Sequence, residues 1–154
     1  MSRTSSQMRH QLGDAQSNVP QSNVAKYYFA YSFQLVGVAS GATLTTNTQI
    51  NADADFLVQA MTWIAYDLTG NQVVGPDVGM ATLQITESNG VTFYDQPQPI
   101  QSVCGSGELP FILPESRLLL KNNSLSAAVK NVYYANALSF YITMHGKKLF
   151  NMNT

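Results

Sequence analysis

At 154 residues the chain suits one domain, and an apolar fraction of 45% is enough to build a core. Only 11% of residues are charged and the net charge is −1, so no basic field draws the chain to a specific nucleic acid. A single cysteine excludes an internal disulfide framework, and no apolar run approaches the roughly 20 residues that cross a bilayer as a helix.

Residues 1–24 stand apart. Half of them are Ser, Thr, Asn or Gln, with Met8, Leu12 and Val19 scattered among them and a proline at Pro20. They read as a flexible polar N-terminal arm, either a disordered tail or a segment that orders on a partner, with Met8, Leu12 and Val19 as its candidate contacts. The arm holds no apolar run of the kind that marks a secretion signal, which implies folding in a reducing cytoplasm.

Strand patterning starts abruptly at residue 25 and predicts a domain over residues 25–150, followed by a short tail at 151–154. In KYYFAYSFQLV, Tyr27, Phe29, Tyr31, Phe33 and Leu35 alternate with smaller or polar residues, the period of a β-strand. ATLTTNTQI (42–50) is Thr-rich and reads as an exposed strand. DFLVQAMTWIAYD (55–67) is apolar on both faces and reads as a central one. VGMATLQITE (78–87) alternates Ala81, Leu83 and Ile85 against Thr82, Gln84 and Thr86.

Asn89-Gly90 predicts a type I′ hairpin, with VTFYD (91–95) as the returning strand. PIQSVC (99–104) reads as an edge piece, GSGELP (105–110) as a loop, and FIL (111–113) as a short strand closed by Pro114. RLLLKNNSLSAAVKN (117–131) predicts two strands about an Asn122-Asn123 turn. ALSFYITMHGKKLF (137–150) alternates Leu138, Phe140, Ile142 and Met144 with Ser139, Tyr141, Thr143 and His145. Eight or nine short strands and no amphipathic helix predict an all-β protein, an antiparallel β-sandwich of jelly-roll-like form with an extended N-terminal arm.

The residues that carry chemistry are sparse. The two histidines are His10, in the arm, and His145, on the more polar side of the last strand. Neither has a nucleophile or metal partner at a recognisable spacing, and Cys104 reads as a structural thiol. Three soft or imidazole side chains do not make a zinc site, and Asp53, Asp55, Asp67 and Asp77 lack the spacing of a calcium loop. Lys147-Lys148 reads as a pair of solvated cations. The sequence therefore predicts no enzyme, no cofactor and no metal. Its 50 Ser, Thr, Asn and Gln residues supply a neutral polar surface, cheaper to bury under a neighbour than a charged one. The pairs Tyr27-Tyr28 and Tyr133-Tyr134 must each turn one ring outward if they lie on strands, which makes Tyr28 and Tyr133 candidate contact residues.

The C-terminal third resembles the end of small β-sandwich head decoration, cement or minor virion proteins of tailed bacteriophages. The features that carry the likeness are Leu109-Pro110, Leu113-Pro114, the Asn122-Asn123 turn, and Gly146-Lys147-Lys148-Leu149-Phe150 at the end of a long strand. The resemblance implies a capsid-associated structural protein, made in the host cytoplasm and located in the virion. Its implied partners are the major capsid protein or other virion proteins and further copies of itself, with no membrane. The competing expectation is a receptor- or carbohydrate-binding module at a vertex or tail, built on outward Tyr, Trp and Asn side chains.

Overall fold

The computed structural model describes residues 24–73, 81–133 and 136–151, the side chains of Val24 and Asn151 excepted. Eight strands run in chain order: β1 Val24–Val38, β2 Thr43–Gln49, β3 Asp55–Asp67, β4 Ala81–Glu87, β5 Gln98–Pro99, β6 Phe111–Leu119, β7 Ser124–Asn131 and β8 Leu138–Asn151. A four-residue helix, α1 Ile100–Val103, sits between β5 and β6. The first sheet has the order β1-β8-β3-β6 and the second β2-β7-β4-β5, all pairs antiparallel. That order is the jelly-roll winding of a two-sheet sandwich. The arm expected at 1–24 lies outside the described residues apart from Val24, which already belongs to β1, and of the expected tail only Asn151 is described, ending β8.

Alternation explains which face each strand buries. Phe33 and Leu35 of β1, Leu83 and Ile85 of β4, Leu125, Ala127 and Val129 of β7, and Phe140, Ile142 and Met144 of β8 are fully buried between the sheets. Truncating a core phenylalanine such as Phe33, Phe56 or Phe140 to alanine would cost about 3–5 kcal/mol. Where the inward parity changes, the ladder carries an extra residue. Leu35 pairs with Phe140 but Val38 with Leu138, and Gly37 takes the left-handed φ of 68° at that bulge. β3 slips likewise between Val58 and Ala60, so its buried set passes from Phe56 and Val58 to Met61 and Ala65. Opposite this slip lies Gly146 of β8. A Cβ there would run into the Leu57 carbonyl, so only glycine fits.

Among the described residues one polar side chain is wholly inside. Asn131 donates to the carbonyls of Val38 (2.9 Å) and Asn136 (3.0 Å) and accepts from the Tyr133 N–H (2.9 Å), which ties the ends of β1, β7 and β8 together.

Four local expectations are corrected. Asn89-Gly90 does not form a type I′ turn: only Gly90 has positive φ (85°), and the Glu87 N–H bonds Val91 O at 2.8 Å in a wider loop. The 91–95 segment holds one bridge, Thr86 to Thr92, and the Phe93 N–H to Ile85 O bond, and is not a strand. Of residues 99–104 only Pro99 lies on an edge strand, the short β5, and 100–103 form α1. Pro114 does not end its strand; β6 continues to Leu119, although its ladder to β3 skips from Ile112 to Arg117 across the proline. The Asn122-Asn123 turn forms between two strands as expected, with Asn122 at φ 64°, and carries the chain from β6 in one sheet to β7 in the other.

Candidate functional site

β1 and β8 have 15 and 14 residues, against 7 or 8 in β2, β4 and β7. At about 3.3 Å per residue the longer pair outruns the opposing sheet by several residues. The overhang falls at the end where Val24 pairs with Asn151. There the inward side of β1 offers Tyr27 and Phe29, and that of β8 offers Lys148 and Phe150, with no strand of the second sheet above them among the described residues. They line an open recess of about 530 Å³.

The recess is aromatic with one ion pair. Tyr27 meets Phe150 edge-on at 5.7 Å. The Lys148 ammonium lies 4.1 Å above the Phe29 ring and donates to both Asp53 oxygens at 2.9 and 3.1 Å. Lys148 is only 5% exposed, which corrects its reading as a solvated lysine. Its stem buries against rings while the carboxylate of half-exposed Asp53 and the ring face answer its charge. In return the ammonium, bonded to Asp53, holds that carboxyl below its usual range.

On the outer face of the same end, Tyr28, His145 and Thr62 form a row across β1, β8 and β3. Tyr28 Oη lies 2.9 Å from His145 Nδ1, and His145 Nε2 lies 2.9 Å from Thr62 Oγ1. Burial pushes the His145 imidazole below its ordinary value. Tyr27 and Tyr28 are the most open aromatics here, 63% and 70% exposed.

A second groove, of about 540 Å³, runs beside β6, between Leu113, Pro114 and Arg117 on one wall and Phe93, Tyr94 and Val103 on the other. Arg117 closes one end. It donates to Glu87 Oε1 from two nitrogens at 2.7 and 3.1 Å, and its guanidinium lies 4.1 Å over the Phe93 ring. Asn123 donates to the other Glu87 oxygen at 2.8 Å. This network joins β6 of one sheet to β4 of the other. Burial pushes the nearby Cys104 thiol up to about 12 and the Tyr94 hydroxyl above its usual value. Cys104 stays protonated in the core, whereas His145 lies on the outer face of the first sheet, so the two do not form a nucleophile and base.

The carboxylates weighed for calcium are occupied by the chain itself. Asp53 holds Lys148, Asp55 accepts from the Lys121 N–H at 2.8 Å, and Asp67 accepts from the N–H groups of Thr69 and Asn71, each at 2.9 Å. Asp77 lies outside the described residues. Among the described residues no three His, Cys, Asp or Glu side chains gather as metal ligands, and no helix is long and apolar enough to cross a membrane.

Of the candidate contacts from sequence, Tyr28 projects outward as expected. Tyr133 is half-buried and packs against the core, so it does not project. Met8, Leu12 and Val19 lie outside the described residues. Sequence reasoning missed Lys148, Phe150 and Asp53, although the inward parity of Ile142 and Met144, carried on along β8, reaches residues 148 and 150.

No family model matches the chain, and no curated protein does. Two solved structures show a weak likeness. Dimeric latent PorU from Porphyromonas gingivalis is 14% identical with a TM-score of 0.33, over 79% of this chain and 13% of that one. The VP2 subviral particle protein of infectious bursal disease virus is 14% identical with a TM-score of 0.29, over 82% of this chain and 36% of that one. This chain thus spans a small part of either, and at such scores neither likeness bears on its role.

Proposed function

We propose that this chain is a virion structural protein, a capsid-associated decoration, cement or minor head protein of the tailed-phage kind, which stabilises its particle by protein–protein contact and performs no catalysis. The observation that carries the reading is the aromatic overhang of β1 and β8, where Tyr27 and Tyr28 stand 63% and 70% exposed on a sheet edge. Large rings are costly to leave in water and are the side chains that anchor interfaces. The charge-poor surface supports the same reading, because a partner can cover it without stripping water from ions. The partners would be the major capsid protein or other virion proteins, with the arm as a further grip.

Purified particles from the source of this sequence, banded on a density gradient and analysed by mass spectrometry, test the proposal. The chain is expected in the particle band at fixed stoichiometry to the shell protein. Its recovery only from the soluble fraction would overturn the reading. A second reading, sugar binding, draws on the recess itself, where Tyr27 and Phe150 stand beside the Asp53 carboxylate. Saturable glycan binding lost in Tyr27→Ala would favour it.

A further inference from the structure

We infer that β1 is a self-pairing edge: two copies of this chain join antiparallel through residues 26–30, about a two-fold axis at Tyr28. The inference deepens the assembly reading and rests on it.

The phase of the edge follows from one hydrogen bond. Thr48 Oγ1 of β2 donates to the Ser32 carbonyl at 2.8 Å, so the backbone groups of Ser32 point away from β8. In an antiparallel strand the N–H and C=O of one residue point the same way, and alternate residues share that direction. The backbone groups of Lys26, Tyr28 and Ala30 therefore face the same open side. β1 pairs only with β8, and among the described residues nothing bonds these groups from within the chain.

The other edges are guarded against such pairing. β6 carries Pro114, Glu115 and Arg117, and its ladder is interrupted there. β5 is two residues long and ends in Pro99. β2 is polar, and its Thr48 reaches across to β1. β1 has no proline, and from Tyr27 to Val38 no charge. A long edge without proline or charge is one that pairs with another chain.

Charge and geometry select the register. An axis at Lys26 sets two lysines opposite each other, and one at Tyr27 leaves them about two residues, or ~7 Å, apart, inside the screening length of ~8 Å. An axis at Phe29 or Ala30 needs the Ser32 carbonyl that Thr48 already occupies. With the axis at Tyr28, Lys26 faces Ala30 of the other copy, the lysines stand roughly 13 Å apart, and the backbone groups of Lys26, Tyr28 and Ala30 are satisfied in both copies. The same register sets Tyr28 against its twin on the outer face and Tyr27 against Phe29 of the other copy beside the recess. Each exposed ring of the overhang gains a cross-strand partner.

Sedimentation velocity of the full chain at low and high micromolar concentration tests this. The expected result is a monomer–dimer equilibrium weakened roughly tenfold or more by Ala30→Pro, which removes one outward donor from each copy and leaves the β8 ladder intact. Tyr28→Lys, which puts like charges on the axis, should also give monomer, and serves if the proline variant fails to fold by circular dichroism. Mild oxidation of Tyr28→Cys should give a covalent dimer, since the two sulfurs meet on the axis while Cys104 is buried. A monomer at every concentration, or a dimer indifferent to both Ala30→Pro and Tyr28→Lys, would overturn the pairing. A monomer that still bands with particles overturns the pairing and leaves the virion reading standing. A β1-dependent dimer absent from particles does the reverse.

Discussion

The two edges of the first sheet solve one physical problem in opposite ways. An edge strand presents a row of unpaired donors and acceptors that invites foreign strands. At β6 the chain answers from within: Pro114 removes a donor, the ladder breaks, and Arg117 fastens the strand across the sandwich to Glu87 on β4. At β1 nothing comparable intervenes between Lys26 and Ala30 among the described residues, and the strand runs on past the opposing sheet with its rings exposed. The difference teaches that the two edges serve different ends. One is closed by the chain's own side chains, and the other leaves its outward donors, acceptors and rings open among the described residues.

The largest expected effect breaks both edges together. β8 lies between β1 and β3, and its Gly146 sits against the Leu57 carbonyl with no room for a Cβ. Gly146→Val should destabilise the domain by about 3 kcal/mol or more, because the slip in β3 must be undone to admit it. Urea unfolding would read this as a lower midpoint. Next comes Arg117→Ala, which touches β6 alone. It strips Glu87, only 11% exposed in its side chain, of its cation and uncovers Phe93, an expected loss of about 2–3 kcal/mol. Self-association should be unchanged. An Arg117→Ala variant that dimerises differently from the wild type would show that the two edges are not independent.

The sequence revealed the strands well and the edges poorly. Inward faces were legible because period-2 alternation is set by burial, and Leu83 and Ile85 or Phe140 and Ile142 fell where the pattern placed them. Bulges were not legible, since an extra residue near Gln59 leaves no compositional trace and shows only as a change of parity in the folded ladder. In the sequence Pro114 reads as a terminator because its missing N–H matters equally at a strand's end and on its free side, and only the neighbours decide which. In the sequence Lys148 reads as solvated because its charge outweighs its parity. The ring of Phe29 and the carboxylate of Asp53 that make its burial tolerable come from other strands and loops. Tyr28 was legible as outward, but its place on an edge required the strand order.

Lys148 gives the third test, confined to the β1 end. Lys148→Met keeps the stem against Phe29 and Tyr31 and should change stability by less than about 1 kcal/mol, since Asp53 is half-exposed and stays hydrated alone. Lys148→Ala empties the space under the rings and should cost about 1–2 kcal/mol. Thermal melts of the two variants separate packing from charge: equal losses would mean that the ion pair, not the stem, holds the overhang.

The smallest effect concerns the outer row of the open edge. Tyr28→Phe removes a hydroxyl that water replaces, so the expected loss is under about 1 kcal/mol. The imidazole beside it makes the row sensitive to pH. Burial holds the folded His145 below its ordinary 6.5, so the unfolded chain takes up the proton first as acid is added. Stability should be fully present above pH 6.5, fall as pH drops from there toward the lower folded value, and lose nothing further to this group below it. His145→Gln should flatten that slope in urea midpoints measured across the window, while Arg117→Ala, which shifts the whole curve, should leave the slope intact. A slope that survives His145→Gln would place the titrating group elsewhere and remove the imidazole from the account of the β1 end.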